Sequence, residues 1–202
     1  MTAAPVAQDA LLDIVSDVLH RHARLARQAM RLRAKFEGWL KWEIVESILA
    51  SGERGPWGPV AVERRLQGEE GAKAVDLVLT YEGTECYVEL KTANTNWRCS
   101  DCENLTRPIT MNVDGVIADV RSLQDVVPPE TAIGLAAFTL FPVPIPHATE
   151  FGQLEDNWDS TKVGGHVSRI LREAWLTRDD LRYREIDVGL ETCRILAFCV
   201  RV

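Results

Sequence analysis

The chain has 202 residues, 46% of them hydrophobic, and a net charge of −7. That length and apolar content suit a single domain with one sizeable core. The acidic balance speaks against a protein that coats nucleic acid, and no run of about 18 uncharged apolar residues is present to form a membrane span. The first residues, Met1 to Pro5, lack the basic and apolar regions of a secretory signal. Five cysteines, an odd number scattered along the chain, suit a reducing compartment. A cytoplasmic protein without membrane contact is therefore expected.

From about Ala10 to Ala50 the chain reads as largely helical, with no proline and one glycine, Gly38, before the breaker Ser51-Gly52-Glu53-Arg54-Gly55-Pro56. Between Arg21 and Lys35 lie six basic residues and no acidic one, leaving 17 basic against 30 acidic residues elsewhere. At about 100° per residue, Arg24, Arg27, Arg31 and Lys35 cluster on one helical side. Such a stripe, Arg24 and Arg31 included, suits phosphate contacts that weaken with salt; a solvated face is the alternative. Leu25, Ala29, Leu32, Phe36 and Leu40 share a narrow arc, and Glu43 falls in the same arc. A glutamate on a buried stripe is costly unless it is paired or holds a cation. Glu43 is thus the expected inward acid, ahead of Glu46 about 60° away by the same count and of Glu37, which points further off.

Val60 to Leu66 reads as a first strand and Gln67 to Gly71 as its turn. Glu63 either joins an acidic cluster or pairs with an arginine. Ala74 to Leu79 and Tyr87 to Lys91 read as neighbouring strands joined at Thr80-Tyr81-Glu82-Gly83-Thr84. Strand side chains alternate, so Tyr87, Glu89 and Lys91 face one way and Cys86, Val88 and Leu90 the other. A hairpin returns Asp76 to the side of Glu89 and Lys91. Two carboxylates can bind a hard cation through oxygen, and an ammonium beside them can orient or help deprotonate a water. That equipment suits metal-assisted hydrolysis of a phosphodiester. A solvated strand face is the bland reading, and the apolar flanks Tyr87, Val88 and Leu90 speak against it.

The polar stretch Thr92 to Arg98 leaves this strand directly. Asn94, Asn96, Trp97 and Arg98 are suited to phosphates and bases through hydrogen bonds and stacking; a loop closed by its own side chains is the alternative. Cys99-Ser100-Asp101-Cys102 has C-x-x-C spacing without a second pair, and His147, His166 and Cys193 are too scattered in sequence to complete a zinc site. These cysteines read as ordinary loop residues. Val113, Val116, Ile117, Val120 and Leu123 predict a helix from Thr110 to Val126, capped by Thr110 or Asn112 and stopped by Pro128-Pro129. Ala132 to Phe141 is a near-continuous apolar run, expected to be a strand buried on both faces. His147 to Thr161 reads as a loop or lid, Lys162 to Trp175 as a helix with a flexible Gly164-Gly165 start. Arg182 to Val188 and Cys193 to Val202 read as closing strands.

The order Asp76…Glu89-Leu90-Lys91, behind a helix rich in glutamates, resembles the PD-(D/E)xK, or restriction-endonuclease-like, superfamily over about residues 37 to 144. Val75 stands where that superfamily often has proline. The resemblance implies an α/β fold with a central mixed sheet flanked by helices. It further implies Mg²⁺ or Mn²⁺ held by Asp76 and Glu89, with Leu90 supplying a main-chain carbonyl ligand. Lys91 would lie near the attacking water, and Glu43 would match the acid that the first helix contributes in relatives. The expected activity is a metal-dependent nuclease acting on nucleic acid, with DNA ahead of RNA on superfamily frequency. A homodimer or a place in a larger complex would serve two-strand cutting. Two rivals stand beside it: a catalytically silent binding module of the same fold, and an interaction subunit whose basic helix docks an acidic partner.

Overall fold

The computed structural model describes residues 3–52, 55–58, 60–68, 71–103, 108–128, 130–153 and 157–202. Three helices open the chain: α1 (Ala3–Arg21), α2 (Ala23–Leu32) and α3 (Glu37–Ser51). The single long helix expected from composition is thus broken twice. His22 separates α1 from α2, and α2 ends at Arg33, whose backbone turns left-handed at φ 49°. Leu25 and Leu32, expected on a buried stripe, are each 47% exposed, because the stripe cannot run across those breaks.

The hairpin follows as β1 (Ala61–Gly68), β2 (Gly71–Tyr81) and β3 (Thr84–Asn94), and α4 (Thr110–Val126) spans the predicted residues. Next come β4 (Ala132–Pro144), α5 (Ile145–Gln153), α6 (Lys162–Glu173), β5 (Leu181–Ile186) and β6 (Cys193–Arg201). The expected loop from His147 is therefore largely helix α5, completed by a short 3-10 turn at Trp158–Ser160. Of the expected hairpin turn Gln67 to Gly71, residues 69–70 lie outside the described set, as does Pro129. Gly164 is no flexible start. It sits in the first turn of α6, capped by Thr161, and a Cβ there would collide with the Trp158 carbonyl.

Six strands form one mixed sheet in the order β1-β2-β3-β4-β6-β5. All neighbours are antiparallel except β3 and β4, which run parallel over Glu85–Asn94. A parallel pair needs a crossover, and α4 supplies it. The centre is β4, whose residues from Ile133 to Val143 are all buried, as a strand covered on both faces requires. One face carries α1, α2 and α3, with Leu11, Leu12 and Ile44 against Leu77, Val88, Leu90 and Ile195. The other carries α4, α5 and α6, with Val116, Val120 and Val167 against Val75, Tyr87, Phe138 and Phe198. The alternation read from β3 therefore holds: Cys86, Val88 and Leu90 enter the first core, Tyr87 the second. Burying each such aliphatic side chain contributes roughly 1.5–3 kcal/mol before entropy is set against it.

The sheet's two edges are strongly charged. Glu63, Arg64 and Arg65 of β1 are exposed, and Glu63 adopts a left-handed φ of 53°. On β5, Arg184 reaches Asp9 and Asp13 of α1 at 2.9 and 3.0 Å. Among the described residues no helix is long and apolar enough to cross a membrane.

Candidate active site

The candidate site lies where β2 and β3 part. Their paired residues run from Tyr81↔Thr84 back to Leu77↔Val88, while β2 continues alongside β1 as far as Gly68↔Gly71. Beyond Val88, β3 presents backbone N–H groups to side chains. Leu90 N–H donates to Asp76 Oδ2 at 3.0 Å, and Thr92 N–H donates to Glu37 Oε2 at 3.1 Å. Two carboxylates thus stand in for ladder carbonyls, meeting the demand of a buried strand for acceptors. The divergence draws acid into the sheet, and a sequence window that sees only apolar strands does not foretell it.

Asp76 Oδ2, accepting from the N–H of Leu90, is thereby held next to Glu89. Burial, then the neighbouring Asp76 charge and hydrogen bonding to it, push the Glu89 carboxyl up to about 9, with Asp119 adding to the effect and Lys91 opposing it. Two carboxyls this close cannot both ionise cheaply, so the proton is retained. Lys91 Nζ sits 2.7 Å from Asp119 Oδ2 on α4. Burial works against its charge, but Asp119, Glu37 and Glu89 outweigh that and hold the ammonium above its ordinary range. Gly115 of α4 makes room for the chain, since a Cβ there would lie 3.3 Å from Lys91 Cε. A second lysine enters from α3: Lys41 Nζ bonds Glu63 at 2.7 Å and Asp76 Oδ1 at 3.1 Å. Burial opposes its charge as well, and these two acids more than offset it.

Asp76, Glu89, Leu90 and Lys91 are therefore brought together as expected, and Lys41, Asp119 and Glu37 join them. Glu43 does not. Its carboxylate meets His22 Nε2 at 2.9 Å, on the junction between α1 and α2. The arc that pointed it inward assumed one continuous helix, and α3 starts afresh at Glu37. We expect Glu43→Gln to leave any activity of this site within about twofold and Glu37→Gln to lower it about tenfold or more, in parallel rate measurements. Equal losses would return Glu43 to the site. Glu63 pairs with a lysine, not an arginine.

The expected substrate residues divide. Asn94 is turned inward, its side-chain amide N–H donating to the Arg33 carbonyl at 2.8 Å and its main-chain carbonyl accepting from the Asn112 side chain. Asn96 and Arg98 are exposed, as are Arg24 and Arg31 on α2. Trp97 is half-buried, its ring 5.4 Å from that of His147 and 6.0 Å from that of His166. Burial lowers the affinity of both imidazoles for a proton, with Lys162 assisting at His147 and Arg169 at His166. Arg33, read as part of the basic run, is 4% exposed and donates to the carbonyls of Thr95, Trp97 and Glu103. It folds the loop after β3 instead of facing solvent. Cys193, too distant in sequence to have been grouped with Cys102, has its sulfur 3.8 Å away.

Among the described residues, no three His, Cys, Asp or Glu side chains are gathered so as to hold a metal ion by themselves. Asp76 and Glu89 are a pair. The chain matches no known protein-family model and none of the curated proteins.

Proposed function

We propose that this chain is a metal-dependent nuclease with a restriction-endonuclease-like core, acting in the cytoplasm on phosphodiester bonds of nucleic acid, DNA ahead of RNA. One observation carries the reading: where two strands part, Asp76 accepts from the N–H beside Glu89, with the Lys91 ammonium on the same strand face as Glu89. A mixed sheet with the parallel β3–α4–β4 crossover beside that point agrees with the fold the sequence resembles.

Asp76, Glu89 and the Leu90 carbonyl are the groups that would hold Mg²⁺ or Mn²⁺. A half-buried carboxyl that retains a proton beside a second acid, as Glu89 does beside Asp76, is one where a divalent cation can take that proton's place. Two carboxylates without a third side-chain ligand suit Mg²⁺, which keeps several waters and binds substrate phosphate. The ion would polarise the phosphate and offset the charge that develops on it. The chain's own groups have distinct tasks. Lys91, held charged, is suited to orient the attacking water and to face developing negative charge, and is not the base that removes the proton. Asp119 fixes the position of Lys91, and Lys41 fixes that of Asp76. Asn96, Arg98, Arg24 and Arg31 are exposed donors for the nucleic-acid backbone. A second copy or a partner subunit would supply the second site for cutting both strands.

The close pairing of Lys91 with Asp119 favours one rival, a silent module in which that ammonium is structural. A single assay separates the two. Single-stranded, duplex and branched DNA, and RNA, are incubated with Mg²⁺, Mn²⁺ or EDTA and either wild type or Lys91→Ala. Cutting that EDTA abolishes and that falls by roughly 10²-fold or more in the variant supports the nuclease. No cutting of any substrate, with no calorimetric heat from either metal, would leave the silent module.

A further inference from the structure

Two of the five cysteines meet outside the carboxylate pair, with a third close by in the chain. Cys102 follows β3 in the Arg33-held loop, and Cys193 opens β6. Their sulfurs are 3.8 Å apart across 91 residues of chain. Cys99 lies one turn before Cys102, whose N–H donates to the Cys99 carbonyl at 3.2 Å. The backbone is pinned at this point, because Asp101 Oδ2 accepts from Thr192 N–H at 3.0 Å and from Thr192 Oγ1 at 2.8 Å. The residue before Cys102 is thereby fixed to the residue before Cys193. Only Cys102 of the three is partly exposed; Cys99 is 6% exposed and Cys193 fully buried. The three thiols are not disposed to hold a metal ion. A near-contact pair with one reachable member suits oxidation instead.

We propose that Cys102 and Cys193 form a peroxide-responsive thiol pair, with Cys102 as the attacking sulfur and Cys193 as the resolving one. The chemistry balances with a hydroperoxide as oxidant. The Cys102 thiolate attacks the peroxide, an S–O bond forms, the O–O bond breaks, and hydroxide leaves to become water. The Cys193 thiol then attacks the sulfenic sulfur, the S–S bond forms, the S–O bond breaks, and water departs with the thiol proton. Two thiols lose two electrons, and the peroxide gains them. Hydrogen bonds from Cys193 and Cys99, with the charge of Arg33 nearby, hold the Cys102 thiol well below its ordinary range. Its role as donor toward Cys102 and Cys99, and then burial, push Cys193 up, leaving it the protonated partner. Attack by the partly exposed, acidic thiol is the order such a pair would follow.

The test uses the reduced full chain, treated with a stoichiometric excess of hydrogen peroxide, alkylated, and digested without reductant for mass spectrometry. A Cys102–Cys193 linked peptide is expected, together with a fall in titratable thiols from five to three. Cys102→Ser should lose thiols at least about tenfold more slowly. Cys193→Ser should accumulate a dimedone-trapped sulfenic acid on Cys102. The wild-type linkage is read without any variant, so misfolding of the buried-site variant leaves the proposal exposed to refutation. A Cys99–Cys102 linkage, unlinked over-oxidation of Cys102, or oxidation of Cys102→Ser at the wild-type rate would each overturn it.

Discussion

Glu89→Gln should make the metal-free protein more stable while removing the metal-dependent cleavage proposed for this site. A carboxyl held up to about 9 in the fold, against an ordinary value of 4.5, takes up a proton when the chain folds. The sign follows directly. Stability from this group is complete below about pH 4.5 and is lost as pH rises through the window to about 9. Glutamine resembles the protonated acid and has no proton to lose. We expect the variant to gain on the order of 2 kcal/mol over wild type at pH 8 in metal-free buffer, and nothing at pH 4. Urea denaturation at several pH values measures it. Millimolar Mg²⁺ should raise the melting temperature of wild type and not of the variant, while cleavage falls about 10²-fold or more. A flat pH dependence shared by both proteins would show that Glu89 is not held protonated, and the argument for the carboxylate pair would fail with it.

Arg33→Ala is expected to cause the largest loss of stability. The guanidinium donates to three main-chain carbonyls, of Thr95, Trp97 and Glu103, from a position only 4% exposed. Removing it leaves three acceptors to find water or remain unsatisfied, each at about 1–3 kcal/mol. Partial hydration of the loosened loop reduces the sum, and we expect roughly 3–5 kcal/mol overall. Hydrogen exchange gives the sharper reading. The amides of Thr95 and Glu103, bonded to the Phe141 and Arg31 carbonyls, should lose protection, while those of β4 and β6 keep most of theirs. Uniform loss across the sheet would mean that Arg33 supports the whole fold and not this loop.

The two residues show why sequence was informative at one point and silent at another. Glu89 was legible because a strand has a period of two. Tyr87, Glu89 and Lys91 had to share a face, and the Glu82–Gly83 turn had to return Asp76 beside them. The helix α4 and the doubly covered β4 were legible for similar local reasons. Arg33 was not, because its role depends on a left-handed backbone at the end of α2 and on carbonyls more than 60 residues away. The choice among Glu37, Glu43 and Glu46 failed for a related reason: angular counting has no meaning across a break, and breaks at His22 and Arg33 carry neither glycine nor proline. Lys41 carried a faint signal, a lysine between Leu40 and Trp42 in an apolar stretch. Asp119 carried none, since an acid flanking a buried stripe looks like any solvated helix position until β3 brings Lys91 against it. The pairing of Cys102 with Cys193 belongs to the same class of long-range fact.

The charged rims of the sheet bear on how this molecule can associate. An unprotected outer strand invites a neighbouring chain to continue the ladder. Here the exposed Glu63, Arg64 and Arg65, with the distorted backbone at Glu63, guard one side. On the other side Arg184 is tied to α1 through Asp9 and Asp13. Sheet-to-sheet joining is thereby disfavoured at both ends, which leaves helices and loops as the surfaces on which a second copy would dock.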